Sequence, residues 1–281
     1  MLVTNDVALI TFVPFTCSLL QRDDQRKILL RIVVIEAAAA NLGSMATPIG
    51  NPQNLYLYST YSFSLGTFFK TILPIVGISY IGLLFSLLLI PQQPLAAEIP
   101  TESHLPLSAQ KKNLIIYSIL GVVCLATVAG LVTHVVCFCV VLLGIIVTDR
   151  ALIRRVDWEL LLTFVCFFLF SGNLQQIESV RNLMMQGLSG GVCLTAALVS
   201  QVISNVPAAV LLSGFTEQEK ELLMGVDIGG LGTPIASLAS LIAYQYYVKS
   251  KLANPAKYLQ FFFIYQFIGL FLLLAMKFIM L

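Results

Sequence analysis

Apolar residues fill this chain in long runs separated by short clusters of charge. The pattern shows neither the alternation of a half-buried strand nor the single stripe of a soluble amphipathic helix. Stretches free of Asp, Glu, Lys and Arg cover 37–69, 71–97, 113–148, 160–177, 182–216, 228–248 and 258–276. One bilayer span needs about 20 residues. The stretch 113–148 therefore predicts two helices with a turn near Gly130, while 182–216 is interrupted at Ser189-Gly190-Gly191 and again at Ser204-Asn205-Val206-Pro207. Such breaks at membrane depth are tolerated where the freed backbone groups are buried in protein or line a polar cavity. The pattern predicts helices near 28–58, 67–90, 113–130, 133–148, 158–172, 222–248 and 258–280, with a stretch over 174–214 that enters and leaves on one side.

Composition sharpens this picture. Of 281 residues, 58% are hydrophobic and 11% charged, against roughly 45–50% and about 25% in soluble domains. Soluble enzymes and nucleic-acid partners are thereby excluded, and the bilayer is the expected surrounding. The six cysteines all lie in apolar stretches, where a buried thiol is the ordinary reading and a disulfide frame or metal site is not. Twelve of the 16 basic residues fall in four groups: Arg22, Arg26, Lys27, Arg31; Lys111, Lys112; Arg150, Arg154, Arg155; and Lys249, Lys251, Lys257. The positive-inside tendency places these loops in the cytoplasm, giving a multi-pass protein of the plasma or inner membrane. The acidic run 217–221 then falls outside, with Thr216 and Glu219 at capping-box spacing.

Two elements recur in the same order. Gly43-Ser44-Met45-Ala46-Thr47-Pro48-Ile49-Gly50-Asn51 matches Gly229-Gly230-Leu231-Gly232-Thr233-Pro234-Ile235-Ala236-Ser237 at an offset of 186, and Thr4-Asn5-Asp6 matches Ser204-Asn205-Val206 at an offset of 200. On the topology above, the copies enter from opposite sides. Inverted repeats with paired Gly/Pro-interrupted helices are the pattern of secondary transporters, whose site lies at the breaks. An interrupted helix offers carbonyls at one half-helix end and amides at the other, so it serves a cation and an anion together. The ordinary alternative for each motif alone is a kinked, packed helix with Ser, Thr and Asn bonding across helices.

These segments, with Val156-Asp157-Trp158-Glu159 and 227–240, resemble the ion-transporter superfamily, which holds divalent-anion/sodium symporters, citrate transporters and the arsenite-permease branch. The resemblance implies an all-α polytopic membrane protein of inverted repeats, each with a re-entrant hairpin and a broken transmembrane helix. It divides the chain into a partial first repeat (1–90), a cytoplasmic linker (91–112) and a second repeat (113–281). It places hairpin tips at Thr4-Asn5-Asp6 and Ser204-Asn205-Val206, and unwound segments at Gly43–Pro48 and Gly229–Pro234. By resemblance, Asn5, Thr47, Pro48, Asn205, Thr233 and Pro234 bind a small anion. Thr4, Asp6, Gly43, Ser44, Ser204, Asp227, Gly229 and Gly230 couple an ion, with Na+ held by Asn5, Gly43, Ser204, Asn205 and Gly229. The coupling ion is Na+ or H+, no other cofactor is implied, and a homodimer is the expected assembly.

Two departures bear on substrate. The third tip position, Thr in the dicarboxylate symporters, is Asp6 in one copy and Val206 in the other. An intramembrane Asp is a functional candidate, so Asp6 is either a coupling group or a cap on the following half-helix. Asp227, aligned with Asn41, has the same two-sided character, with Gly225 and Gly229 pointing to packing. The second departure is length: some 92 residues of the second repeat precede Asn205, and four precede Asn5, so much of one repeat lacks a counterpart. An enzymatic reading, with Asp6 and Asp227 as an acid pair, lacks the Gly-x-Gly-Asp signature that intramembrane aspartyl proteases share. The expectation is a non-enzymatic anion transporter, followed by cation/proton antiport, an arsenite-type permease or a non-transporting remnant.

Overall fold

The computed structural model describes residues 4–91, 107–154, 156 and 158–280. They form fourteen α-helices: α1 Asn5–Leu19, α2 Arg26–Ser44, α3 Pro52–Thr60, α4 Leu65–Leu88, α5 Leu107–Val128, α6 His134–Thr148, α7 Ala151–Arg154, α8 Trp158–Gln176, α9 Glu178–Gly190, α10 Val192–Ile203, α11 Asn205–Ser213, α12 Glu219–Ile228, α13 Leu238–Val248 and α14 Pro255–Met280. No strand occurs among the described residues. The all-α expectation holds. α4 and α14 are long and apolar enough to cross a bilayer, and α8 with α9 forms a third such stretch bent by 90° at Ile177. The linker expected at 91–112 falls largely outside the described residues.

Residues up to Ala97 and from Cys166 onward form one compact unit, and Glu98–Val165 form another. In the smaller unit α5 and α6 make a hairpin about Gly130, whose φ of +77° suits glycine. Gly144 lets α6 approach Leu120 closely.

The larger unit holds every broken element. Both predicted breaks occur: α2 stops at Ser44 and α3 starts at Pro52, and α12 stops at Ile228 while α13 starts at Leu238. Local chemistry sets these boundaries. Pro52 occupies the first turn of α3, and the Asn51 side chain caps it by accepting from the Asn54 N–H at 2.9 Å. Ser237 caps α13 by accepting from the Ala239 N–H at 3.2 Å. The second hairpin turns at Ser204, a non-glycine residue at φ +76°, ψ 154°, a conformation that costs about 1–3 kcal/mol. The capping box expected at Thr216 and Glu219 is absent, because α12 begins at Glu219 itself and Thr216 Oγ1 accepts from the Gln218 N–H at 3.1 Å.

Two apolar clusters hold the unit together. One joins α1, α2, α13 and the start of α14 through Leu9, Val33, Ala243, Tyr247 and Tyr258. The other joins α3, α4, α10, α12 and the end of α14 through Leu57, Phe68, Ala197, Leu222 and Leu273. Gly225 of α12 and Gly229, the residue that ends it, lie four apart and directly against α10 at Cys193, Ala196 and Ala197. This is the small-residue contact by which membrane helices approach closely.

Candidate broken-helix site

Asn5 and Ser204 bond to equivalent carbonyls of the two breaks. The Asn5 N–H donates to the Gly50 carbonyl at 3.1 Å, and the Ser204 hydroxyl donates to the Ala236 carbonyl at 3.4 Å. Gly50 and Ala236 are 186 residues apart, the offset of the matching segments. A Cβ at Gly50 would run into the Ser44 carbonyl, so this copy of the turn demands glycine. Asn205 lies against Gly230, where a Cβ would come within 3.0 Å of its amide nitrogen. The N-termini of α1, α3, α11 and α13 and the C-termini of α2, α10 and α12 thus meet in one buried region. Asn5, Asp6, Ser44, Ser204, Asn205 and Asp227 are all buried there.

The breaks are tied to each other by crossed side chains. Asn41, on the last turns of α2, donates to the Gly230 carbonyl at 3.2 Å and to Ser240 Oγ at 3.4 Å, and accepts from the Ser237 hydroxyl at 2.7 Å. Asp227, at the matching place on α12, accepts from Asn51 Nδ2 at 3.4 Å and Gln53 Nε2 at 3.3 Å. With the Asn54 amide nitrogen turned towards it, Asp227 also accepts at 3.0 Å on Oδ2 and 2.8 Å on Oδ1. Asn41 and Asp227, Asn51 and Ser237, and Asn54 and Ser240 are each 186 apart. Each break is therefore held by the other's residues at the same register. Carboxylates only accept, and these carboxamides supply the donors. No basic side chain bonds Asp227 among the described residues.

Several expected ligands have structural partners. Ser44 Oγ donates to the Asn41 carbonyl at 2.8 Å and accepts from Asn51 Nδ2 at 3.2 Å. The Gly43 carbonyl accepts from the Ala46 N–H at 3.2 Å. Gln201, absent from the sequence-based set, donates through Nε2 to the Gly229 and Leu231 carbonyls at 2.8 and 2.9 Å. Its Oε1 accepts from the Thr233 N–H at 2.8 Å, and the Thr233 hydroxyl donates to the Gln201 carbonyl at 2.9 Å. Thr47 and Pro48 lie in the turn after α2, and Pro234 opens a short 3-10 turn, Pro234–Ala236. Thr4 flanks α1 without a side-chain cap, and Asp6 sits in the first turn, its N–H donating to Asn5 Oδ1 at 2.9 Å. Asp6 Oδ1 is buried and unpartnered, so the capping role weighed from sequence is not formed.

Sequence reasoning also missed Glu36. It lies within α2, its Oε1 accepts from the Thr16 hydroxyl at 2.5 Å, and its Oε2 is buried without a partner. The apolar runs on either side of Glu36 were the available signal. Outside the bundle interior, the Tyr61 hydroxyl donates to the Thr216 carbonyl at 2.7 Å and so fastens the α3–α4 connection. Burial, then the charge of Glu217, pushes that phenol up. A cavity of 820 Å³ lined by Lys70, Glu217, Glu221 and Lys277 opens at the end of α12 away from the break. The Lys277–Glu221 pair, 2.6 Å, closes one side of it.

The sequence has counterparts among known proteins. A family model described as citrate transporter matches residues 1–217, which include the first break and the turn at Ser204. The chain belongs to the citrate transporter family. It is similar to an uncharacterized transporter of Methanocaldococcus jannaschii, 33% identical over 86% of this chain and 65% of that protein. It is likewise similar to the inner membrane protein YbiR of Escherichia coli, 32% identical over 85% of this chain and 64% of that protein. The matched regions span less than two thirds of these relatives. Family and apolar helices together make this an integral membrane protein.

Proposed function

We propose that the chain is a secondary transporter, not an enzyme, that holds a small anion between two inverted repeats and moves it in step with Na+ or H+. The observation that carries this reading is the convergence of four helix N-termini on paired breaks tied by Asn41 and Asp227. N-terminal amides favour an anion, and the carbonyl ends of α2 and α12 favour a cation. The substrate class is a carboxylate such as citrate or an inorganic anion, bound by Asn5, Asn205 and the turns at Thr47–Pro48 and Thr233–Pro234. Thr233 serves such an anion only by giving up its bond to Gln201. Asp6, Asp227, Ser204 and the glycine turns are the coupling groups. The basic loops face the cytoplasm, and the protein acts as a homodimer in the plasma or inner membrane.

A second reading, cation/proton antiport or arsenite-type permeation, is favoured by two buried carboxylates, Asp6 and Asp227, without basic partners among the described residues. Buried charges are ordinarily paired. Uptake of labelled citrate, succinate and sulfate into proteoliposomes under imposed sodium or proton gradients separates the readings. Gradient-driven uptake that Asn205→Ala abolishes is the expected result. Uptake of no anion, with sodium-driven proton movement instead, would overturn anion transport in favour of antiport.

A further inference from the structure

Midway along α14, Gln266 is 1% exposed, and neither end of its carboxamide has a partner. Buried polar groups are ordinarily bonded, so a carboxamide unpartnered at both ends marks a place where something else is expected to bond. Gln266 lines a cavity of 160 Å³ enclosed by α2, α4, α14 and the second break. Ala38 and Leu42 of α2, Leu83 of α4 and Leu231 of the break make its apolar wall.

The other polar side chains of the lining are already engaged. Ser79 Oγ donates to the Ile75 carbonyl at 2.7 Å, the Tyr265 hydroxyl donates to Ser86 Oγ at 2.9 Å, and Ser86 Oγ donates to the Gly82 carbonyl at 2.8 Å. The lining reaches the outside of the helix bundle at Gly82, Ile268 and Leu272. Ile268 and Leu272 are 55% and 60% exposed, and a Cβ at Gly82 would meet nothing within 4 Å. α4 and α14 are long and apolar enough to cross a bilayer, so the surroundings of this opening are acyl chains.

We propose that the cavity binds the undissociated acid end of an aliphatic carboxylic acid, drawn from the bilayer and held by Gln266. The acid carbonyl accepts from Gln266 Nε2 and the acid hydroxyl donates to Gln266 Oε1, so one group satisfies both ends of the carboxamide. A carboxylate only accepts, which would leave Oε1 alone, and its charge is costly to bury halfway along a spanning helix. A water in the same place needs several polar partners, and the remaining hydroxyls of the lining are spent. A cavity of about 150 Å³ takes a benzene ring. The space at Gln266 therefore takes the carboxyl group and the first carbons of a chain, with the rest passing out beside Ile268 and Leu272.

The location gives such an occupant contact with both halves of the site. Leu42 immediately precedes Gly43 at the first break. Leu231 lies in the second, where a Cβ at Gly269 of α14 would come within 3.3 Å of it. The inference does not depend on which anion or coupling ion the breaks hold.

The test uses the full chain in phosphatidylcholine nanodiscs with a photoreactive decanoic acid that carries a diazirine in its chain. Labelled peptides are located by mass spectrometry, and adducts should fall within 78–86 and 265–273. Unlabelled decanoic acid should suppress them. Its methyl ester has no hydroxyl to donate and should need about tenfold more, the scale of a lost hydrogen bond. Gln266→Leu keeps apolar bulk and removes the carboxamide. Its labelling should fall about tenfold, while its thermal midpoint without acid holds or rises because a buried unpartnered amide is gone. Equal suppression by acid and ester would reveal apolar lipid contact alone and overturn the proposal, as would undiminished labelling of Gln266→Leu. Adducts absent from both stretches would mean that water or a second copy of the chain fills the cavity, which overturns it as well. Should the variant aggregate, the comparison of acid with ester on the unaltered chain decides.

Discussion

Asn41 and Asp227 hold equivalent places before the two breaks, and their surroundings differ in one respect. Asn41 has donors and acceptors matched by Ser237, Ser240 and the Gly230 carbonyl. Its seat is neutral and complete. Among the described residues, the Asp227 carboxylate meets carboxamides only, from Asn51, Gln53 and Asn54. Those donors satisfy its oxygens, but they leave its formal charge uncompensated in a setting where an ionised group must find a partner or a proton. One geometry thus closes a neutral seat in one copy and surrounds a carboxylate in the other.

Making the seats alike gives the largest expected effect. Asp227→Asn should lower gradient-driven uptake by about a hundredfold, in the range assigned to positioned acid–base groups, while the chain remains folded. Initial uptake rates beside the thermal midpoint check this, and near-normal coupled uptake would remove Asp227 from the mechanism. The reverse exchange, Asn41→Asp, sets a carboxylate against the Gly230 carbonyl. It should cost about 3–5 kcal/mol, the scale of an unpaired buried charge, and show as lost expression or a collapsed midpoint.

The turns carry a smaller contrast. Gly50→Ala should cost about 1–3 kcal/mol through overpacking on the Ser44 carbonyl, whereas its counterpart Ala236→Gly should cost about 1 kcal/mol through the lost methyl. Denaturation of the two variants side by side would show whether the tips rest on their turns with different tolerance. Of the same size is Ser237→Ala, which removes a helix cap and one bond to Asn41, worth about 1 kcal/mol. Its effect on uptake should follow stability alone.

The breaks themselves were legible because Gly and Pro repeat at a fixed offset and backbone punctuation is local. The turn at Ser204 was legible because Ser204-Asn205-Val206-Pro207 interrupts an apolar run. The bonding between the breaks was not, since Asn41 meets Gly230 and Asp227 meets Gln53 across 189 and 174 residues, and no local period reports such pairing. Asn51 enters the sequence pattern only as the end of the first matching segment, and Gln53 and Asn54 carry no signal there, yet all three are buried and bond Asp227. Glu36 read as the edge of an apolar run, although α2 carries it into the bundle. Gln201 gave no signal because a single amide in an apolar helix is ordinary until its three carbonyl contacts are seen.

The crossed ties also set an order of assembly. Asn51 and Asn54 leave the ribosome long before Asp227 exists, and at about 5–20 residues per second the gap is roughly 10–40 s. Throughout that interval the first break sits in or beside the membrane with its bonds to Asp227 unmade. Insertion of the early helices is therefore provisional, and completion of the later ones finishes both halves at once.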